Sequence, residues 1–411
     1  MTETEFGFAD IEAARERLDD ESVVKRTPIE ESTSLSAMVG ADVHLKMEHL
    51  QWTGSFKPRG AYNKVRKCEE EGGIERAIAA SAGNHAQGVA LAATKRGVES
   101  TIVMPKAAPQ TKIDATRGYG ATVELEGRDF QAAMAHAKGL AEEDEEATFI
   151  HAYDDPAIVA GQGTLGVEMV EDLPDVDTVI VPIGGGGLIS GIATAFGELS
   201  PETRIVGVQA EEAATVPESL KKGTPQTLDT VGTIADGIAT GGVSELTLGI
   251  IEEHVDEVLT VSDDEIARAI LLLLERAKQL VEGAGAASVA ALLSEELDVS
   301  GETVMPLLCG GNLDMPMLQT VLTHAMTDRE QLLHLRVKIT DAPGRMADLS
   351  GIIAEHDANI RWVRHDRAVE GLAVGEAHLV FCVITSGSEH SRAITRSIED
   401  RGYEATIINR R

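Results

Sequence analysis

Residues 178–199 read TVIVPIGGGGLISGIATAFGEL, an apolar β-branched run that meets four consecutive glycines, Gly184, Gly185, Gly186 and Gly187, and continues into an apolar stretch. The spacing predicts a buried strand over 178–183 and a helix over 188–198. Four glycines in a row are a costly connection unless the backbone must approach something closely. Between a strand and a helix start, their N–H groups and the helix dipole would cradle a phosphate dianion. Working outward, 100–104 (STIVM) and 204–209 (RIVGVQ) read as further strands, and 86–96, 131–143 and 263–280 as helices. This alternation fills roughly residues 1–330 and predicts an α/β fold, its mostly parallel sheets covered on both faces and its ligands at the carboxyl ends of the strands.

Two phosphate motifs are excluded by their own spacing. A dinucleotide site would use Glu211, after RIVGVQ, as its ribose acid, but with Gly185 and Gly187 as the first two glycines the third position holds Ser190. No Lys-Ser or Lys-Thr follows the glycines, which removes the P-loop.

Other loops carry chemistry of their own. In Thr53-Gly54-Ser55-Phe56-Lys57-Pro58-Arg59-Gly60-Ala61 a lysine sits among small residues before a helix. By spacing alone it reads as a surface residue; its other reading is a Schiff-base amine, which needs a lowered pKa from burial or nearby positive charge. Arg59 and the following helix start are candidate sources of that charge. Ser81-Ala82-Gly83-Asn84-His85-Ala86-Gln87-Gly88 opens a helix, and its amides are a candidate carboxylate cradle with Asn84 as a neutral partner. It reads equally as an Asn-capped helix start, with His85 packed or capping. Cys309-Gly310-Gly311-Asn312 follows the strand-like VMPLL, and Glu282-Gly283-Ala284-Gly285-Ala286 lies at another turn before a helix. Cys309 is either a small hydrophobe or a weak hydrogen-bonding group facing a ring nitrogen.

After Asp328-Arg329-Glu330 the texture changes. Strand patterns at 332–339, 360–367, 376–384 and 403–409 and helices at 345–356 and 388–401 give the order β-α-β-β-α-β, a ferredoxin-like unit, with the domain boundary near 330. The acidic run 142–146 (EEDEE) reads as the solvated end of a surface helix.

Composition bounds the class. With 411 residues, 43% hydrophobic and 25% charged, the chain is an ordinary globular one of more than one domain. The formal charge of −32, with 68 acidic residues against 23 Arg and 13 Lys, argues against a nucleic-acid partner and suits a saline cytoplasm. Cys68, Cys309 and Cys382 are far apart without a CxxC pair, so a disulfide framework and a thiolate metal site are both disfavoured and a reducing compartment is expected. No apolar run has the length of a membrane span, and the acidic start does not read as a signal peptide. A soluble cytoplasmic protein without membrane partners is expected.

Taken together, SFKPRGA, SAGNHAQG, GGGG and CGGN resemble the pyridoxal-phosphate-dependent threonine and serine dehydratases in order and approximate spacing across residues 20–320. The resemblance implies pyridoxal phosphate fold type II, the tryptophan synthase β-like arrangement of two twisted parallel sheets, with a smaller subdomain at about 49–155 inserted into a larger one. It implies that Lys57 carries the cofactor and acts as catalytic base, that Phe56 packs beside the cofactor ring, and that Asn84 contacts the phenolic oxygen. Gly184 to Gly187, with Leu188, would hold the phosphate, and Cys309 would face the pyridine nitrogen. Ser81, Ala82, Gly83, Asn84 and His85 would receive the substrate carboxylate. Residues 331–411 resemble an ACT regulatory domain through Asp341-Ala342-Pro343-Gly344-Arg345 and Asn359-Ile360. That likeness makes Asp341, Gly344, Asn359 and Ile360 candidates for an amino-acid effector site, against a plain Pro-Gly turn, and implies a homo-oligomer, dimer or tetramer.

The implied activity is elimination from L-threonine to 2-oxobutanoate and ammonia, with side activity on L-serine and a place in isoleucine biosynthesis under allosteric control. The alternatives are a serine dehydratase or serine racemase and, outside enzymes, an amino-acid-sensing regulatory protein. Ala82 stands where racemases have a Ser that moves a proton, and the carboxylates of their metal site align with Gln209 and Thr215, so no metal is expected.

Overall fold

The computed structural model describes residues 6–18, 22–228, 230–367 and 371–408, in two compact units, Met1–Asp314 and Met315–Arg411. The first unit holds strands β1 (Ile29–Glu31), β2 (Asp42–Lys46), β3 (Arg76–Ala80), β4 (Glu99–Met104), β5 (Thr122–Leu125), β6 (Ala147–Phe149), β7 (Thr178–Pro182), β8 (Arg204–Ala210), β9 (Glu257–Val261) and β10 (Thr303–Pro306). Among the described residues the larger sheet has six strands in the order β1-β2-β10-β7-β8-β9, parallel except at β1. The smaller sheet is parallel throughout, in the order β5-β4-β3-β6. The chain therefore enters the larger sheet, leaves it for β3 to β6 within the expected 49–155 insertion, and returns. These are the two sheets of the expected type II architecture.

Strand β7 is buried along its whole length, so its residues need not alternate. The helices Gly187–Leu199 and Gly283–Leu292 pack on it. Residues just beyond the carboxyl ends of β3, β7 and β10 are Ser81, Gly184 and Cys309, so the topology gathers three loops that are distant in sequence. One expected helix is shorter than its pattern. The span 263–280 forms a helix at Asp263–Leu272 and a π turn at Leu273–Ala277, which ends at Lys278 with φ of 60°. Its apolar run continues past the point where the left-handed residue stops the hydrogen-bonded ladder.

The second unit holds β11 (Leu332–Thr340), β12 (Asn359–Asp366), β13 (Glu376–Ile384) and β14 (Glu404–Ile407), in the antiparallel order β12-β13-β11-β14, with helices Arg345–Glu355 and Ser388–Asp400. This is the ferredoxin-like order. Leu333, Leu335, Val337, Leu379 and Phe381 face Leu349, Ile353 and Ile394 in its core. The expected final strand reached 409, which lies outside the described residues. Contacts group the helix Met315–Asp328 with this unit, ahead of the break expected near 330. The strand texture begins at Leu332, but Gln331 N already donates to the Met326 carbonyl, which ties the helix end to the strand.

Candidate active site

Lys57 is the first residue of the helix Lys57–Glu71, where Pro58 supplies the fixed φ of a first turn. Just before it, Phe56 N donates to the Cys309 carbonyl at 3.2 Å and Ser55 bridges to Gly310, which pins the lysine loop beside the Cys309 loop. The Lys57 amine donates to the Ala152 carbonyl at 3.1 Å and lies 4.9 Å from the centre of the Phe56 ring. Burial of the ammonium lowers its pKa to about 8, while the negative forms of Cys309 and Glu282 push it back up. Arg59 is not the cause expected from sequence. Its guanidinium turns away to Glu48 and Glu168, at 2.7 and 2.8 Å, and is neutralised there.

The Asn84 loop does not use its asparagine as a cap. Gly83 is the N-cap of the helix Asn84–Arg96 and supplies no side-chain bond. The Asn84 side chain instead donates from Nδ2 to Glu282 Oε1 at 2.6 Å and accepts at Oδ1 from Asn312 Nδ2 at 2.7 Å. Ser81 Oγ accepts from Gly83 N at 3.1 Å, which closes the loop on itself. His85 is packed: its Nε2 meets the Ile150 carbonyl at 2.9 Å, and burial, with Lys57 nearby, lowers its pKa to about 3. It is a neutral imidazole.

In the glycine loop, Gly186 has φ of 90° and caps the helix Gly187–Leu199. A left-handed N-cap with no side chain leaves the first N–H groups of the helix facing outward, without partners inside it. Thr247 Oγ1 holds the loop from behind by donating to the Gly185 carbonyl at 2.9 Å. Phe56, Lys57, Ser81, Ala82, Gly83, Asn84, His85, Gly184 to Gly187, Leu188 and Cys309 all line one cavity of about 770 Å³. Every catalytic, cofactor and substrate residue expected from the motifs therefore meets in one place.

The family model described as pyridoxal-phosphate dependent enzyme matches residues 21–310. The chain belongs to this family. An L-threonine ammonia-lyase of Thermotoga maritima is 43% identical over 399 residues, covering 97% of this chain and 98% of that one. Among solved structures, the processed threonine deaminase isoform 2 of Solanum lycopersicum has a TM-score of 0.74 at 36% identity, covering 78% of this chain and 90% of that one. Maize serine racemase has a TM-score of 0.73 at 34% identity, covering 80% of this chain and all of that one (100%).

The residues of this pyridoxal-phosphate dependent enzyme fit their cofactor, pyridoxal phosphate. An amine with a pKa of about 8 stands in the cavity, and a helix start of bare amides is suited to a phosphate. Cys309 Sγ is buried, and that burial raises its pKa, so it presents a neutral thiol.

Several lining residues carry no motif. Tyr153 lies against the glycine loop so closely that a Cβ on Gly185 would fall 2.2 Å from its ring. Its ring and that of His151 are nearly perpendicular, with centroids 4.8 Å apart. Lys112 reaches Asp236 at 3.0 Å and Asp314 at 3.5 Å. The one signal for Tyr153 was its place just past β6, at the carboxyl end of a parallel strand. Gln209 Oε1 accepts from Thr215 N at 3.0 Å and Val216 N at 2.8 Å, so an amide ties that turn together.

The second unit holds the candidate effector residues in separate roles. The Asp341 carboxylate is engaged by Arg367 Nε at 2.7 Å and faces His365 at 3.4 Å. Gly344, at φ of 92°, caps the helix Arg345–Glu355. Asn359 pairs with Ile384 at the start of β12 and is exposed, while Ile360 packs partly on the unit's core.

Proposed function

We propose that the chain is an L-threonine ammonia-lyase that converts L-threonine to 2-oxobutanoate and ammonia and acts less well on L-serine. The observation that carries this reading is the Lys57 amine, with its pKa lowered to about 8, in a cavity that also holds the glycine loop and a neutral Cys309. When bound, pyridoxal phosphate supplies a conjugated ring that spreads the charge left on removal of a Cα proton. Gly184 to Gly187 and Leu188 would hold its phosphate through backbone N–H groups, and Phe56 would form one wall of the ring site. The amides of residues 81–85 receive the substrate carboxylate. The Lys57 amine would take the Cα proton; at neutral pH part of it is already unprotonated, so little driving force is lost. A neutral thiol at Cys309 would offer a ring nitrogen beside it a weak hydrogen bond and no carboxylate to hold a proton there.

The test is direct. Purified protein given L-threonine should release 2-oxobutanoate and ammonia, and borohydride reduction should fix the cofactor on the Lys57 peptide. Lys57→Ala should lower turnover about a thousandfold, within the range of lost general-base catalysis. Retained turnover in that variant would end the proposal.

Serine racemization is the second reading, favoured by the likeness to the maize enzyme. Ala82 offers no proton on the second face. D-serine forming as fast as pyruvate from L-serine would make the second reading the right one. The unit 331–411 is proposed as an ACT domain whose amino-acid effector, an isoleucine-like ligand, sits near Asp341, Gly344, Asn359 and Ile360 in a homo-oligomer. Among the described residues no helix is long and apolar enough to cross a membrane. We place the enzyme in a saline cytoplasm on its charge of −32.

A further inference from the structure

Glu282, read from sequence only as part of a turn, stands behind the Asn84 loop. It precedes the helix Gly283–Leu292, is 8% exposed, and accepts from Asn84 Nδ2 at 2.6 Å. Asn84 Oδ1 accepts in turn from Asn312 Nδ2 at 2.7 Å, and the same nitrogen donates to the Thr53 carbonyl at 2.7 Å. A chain of side chains thus links Glu282 to the Lys57 loop. The backbone is cleared for it. A Cβ on Gly310 would lie 2.0 Å from Glu282 Oε1, and one on Gly54 would lie 2.6 Å from Asn312 Oδ1.

The carboxyl has no matching cation at close range. Among the described residues no Lys, Arg or His lies within ion-pair distance of Glu282, in contrast to Glu168 and Glu48. The charged and titratable groups that face it are Lys57 and Cys309, and Lys112, Asp236 and Asp314. Lys112 favours its ionised form, whereas Asp236 and Asp314 oppose it.

We propose that Glu282 is a positioning residue of this site: its carboxyl fixes the Asn84 amide, and the gain or loss of its proton changes the charge that Lys57 experiences. Asn84 can turn either end of its amide toward the cavity when it is unrestrained. With Nδ2 committed to Glu282 and Oδ1 to Asn312, one N–H remains for whatever the cavity holds.

Burial raises the Glu282 carboxyl to about 7, so its proton exchanges in the neutral range. Ionised, it favours the ammonium form of Lys57; protonated, it withdraws that support. As the solution turns acid, Glu282 takes up a proton and Lys57 holds its own less firmly, so the free amine persists to lower pH than beside a fixed carboxylate. This consequence rests on the proposed role of Lys57 as base, but the measurement below needs no turnover.

The experiment is a pH titration of the full-length chain with its cofactor, following the infrared C=O stretch of protonated carboxyl groups. In the wild type a band should titrate with a midpoint near 7. In Glu282→Gln, which keeps an acceptor for Asn84, that band should be missing. Lys112→Gln should move the midpoint up and Asp236→Asn should move it down. In the chain freed of cofactor, labelling of Lys57 by an amine-reactive reagent should gain a midpoint lower by about one pH unit in Glu282→Gln. Rebinding of pyridoxal phosphate checks that each variant is folded. A band confined to the ordinary carboxylate range, or a Lys57 profile unmoved by Glu282→Gln, would overturn the proposal. If Glu282→Gln fails to rebind cofactor, the opposite movements in Lys112→Gln and Asp236→Asn decide it, and equal midpoints there overturn it. Failure to release 2-oxo acid would count against the threonine reading alone.

Discussion

Lys57 and Arg59 stand two residues apart at the start of one helix, yet their charges meet opposite treatment. Arg59 is 2% exposed and bound to two carboxylates, Glu48 and Glu168. Lys46, also buried, shares Glu168 at 2.6 Å and reaches Asp172 at 3.0 Å, and Thr27 Oγ1 donates to Glu48 at 2.7 Å. In that cluster the Arg59 pKa is raised and the Glu168 pKa lowered, the attraction of each partner outweighing the loss of water. Among the described residues Lys57 has a single carbonyl and no ion partner at bonding distance, and its pKa falls instead. Burial alone therefore does not decide charge; the partner does. One cluster fastens the β2 end to the helix Pro156–Asp172, and the other leaves an amine reactive.

The comparison breaks most visibly if a paired charge proves dispensable. Arg59→Met removes the cation shared by buried Glu48 and Glu168 and should destabilise the first unit by about 3–5 kcal/mol, read from the urea midpoint. The pH dependence has a definite sign. Because the folded-state pKa of Glu168 is depressed, its contribution is present above the ordinary carboxylate pKa and is lost as pH falls through the folded value. The gap between wild type and Arg59→Met should therefore narrow in acid. A loss below about 1 kcal/mol at neutral pH would show that the network is as weak as a surface pair.

The converse substitution should stabilise. Lys57→Met removes an amine whose pKa falls from 10.5 to about 8, so the cofactor-free chain should gain no more than about 3 kcal/mol at neutral pH. A lowered lysine pKa penalises folding fully below about 8, and the penalty fades as pH rises toward 10.5. The gain should shrink across that window. A variant less stable than wild type at pH 7 would place Lys57 with Arg59 as a structural charge.

The smallest effect sharpens the contrast from the neutral side. Cys309→Ser exchanges one uncharged partner for another and should change 2-oxo acid release by less than about tenfold, the range of one neutral hydrogen bond. A larger change, measured under substrate saturation, would mean that thiol chemistry matters at this position.

The fold was largely legible because its strongest signals are local. The β-branched run 178–183, the helix after the glycines and the β-α-β-β-α-β order beyond 331 each follow from patterns a few residues long. Lys57, Asn84 and Cys309 were ambiguous one by one and became visible only through the combined resemblance of their motifs and the tetraglycine loop to one family. Tyr153 carried no such mark, and Glu282 was legible only as part of a turn before a helix, without a role. Glu282 is one acid among 68 acidic residues, and nothing nearby in sequence says that Asn84 and Gly310 will enclose it. Arg59 misled for the same reason: adjacency suggested a charge acting on Lys57, and Glu168, more than a hundred positions away, cancels it.

What the sequence by itself determined is the set of elements, their order, and the loops rich enough in glycine to approach a ligand, because these depend on backbone sterics and periodicity. Which charges are paired and which are left exposed to one another was decided only by the tertiary structure. An ionisable group answers to whatever lies within a few ångströms, and in parallel sheets those neighbours come from strands far apart along the chain.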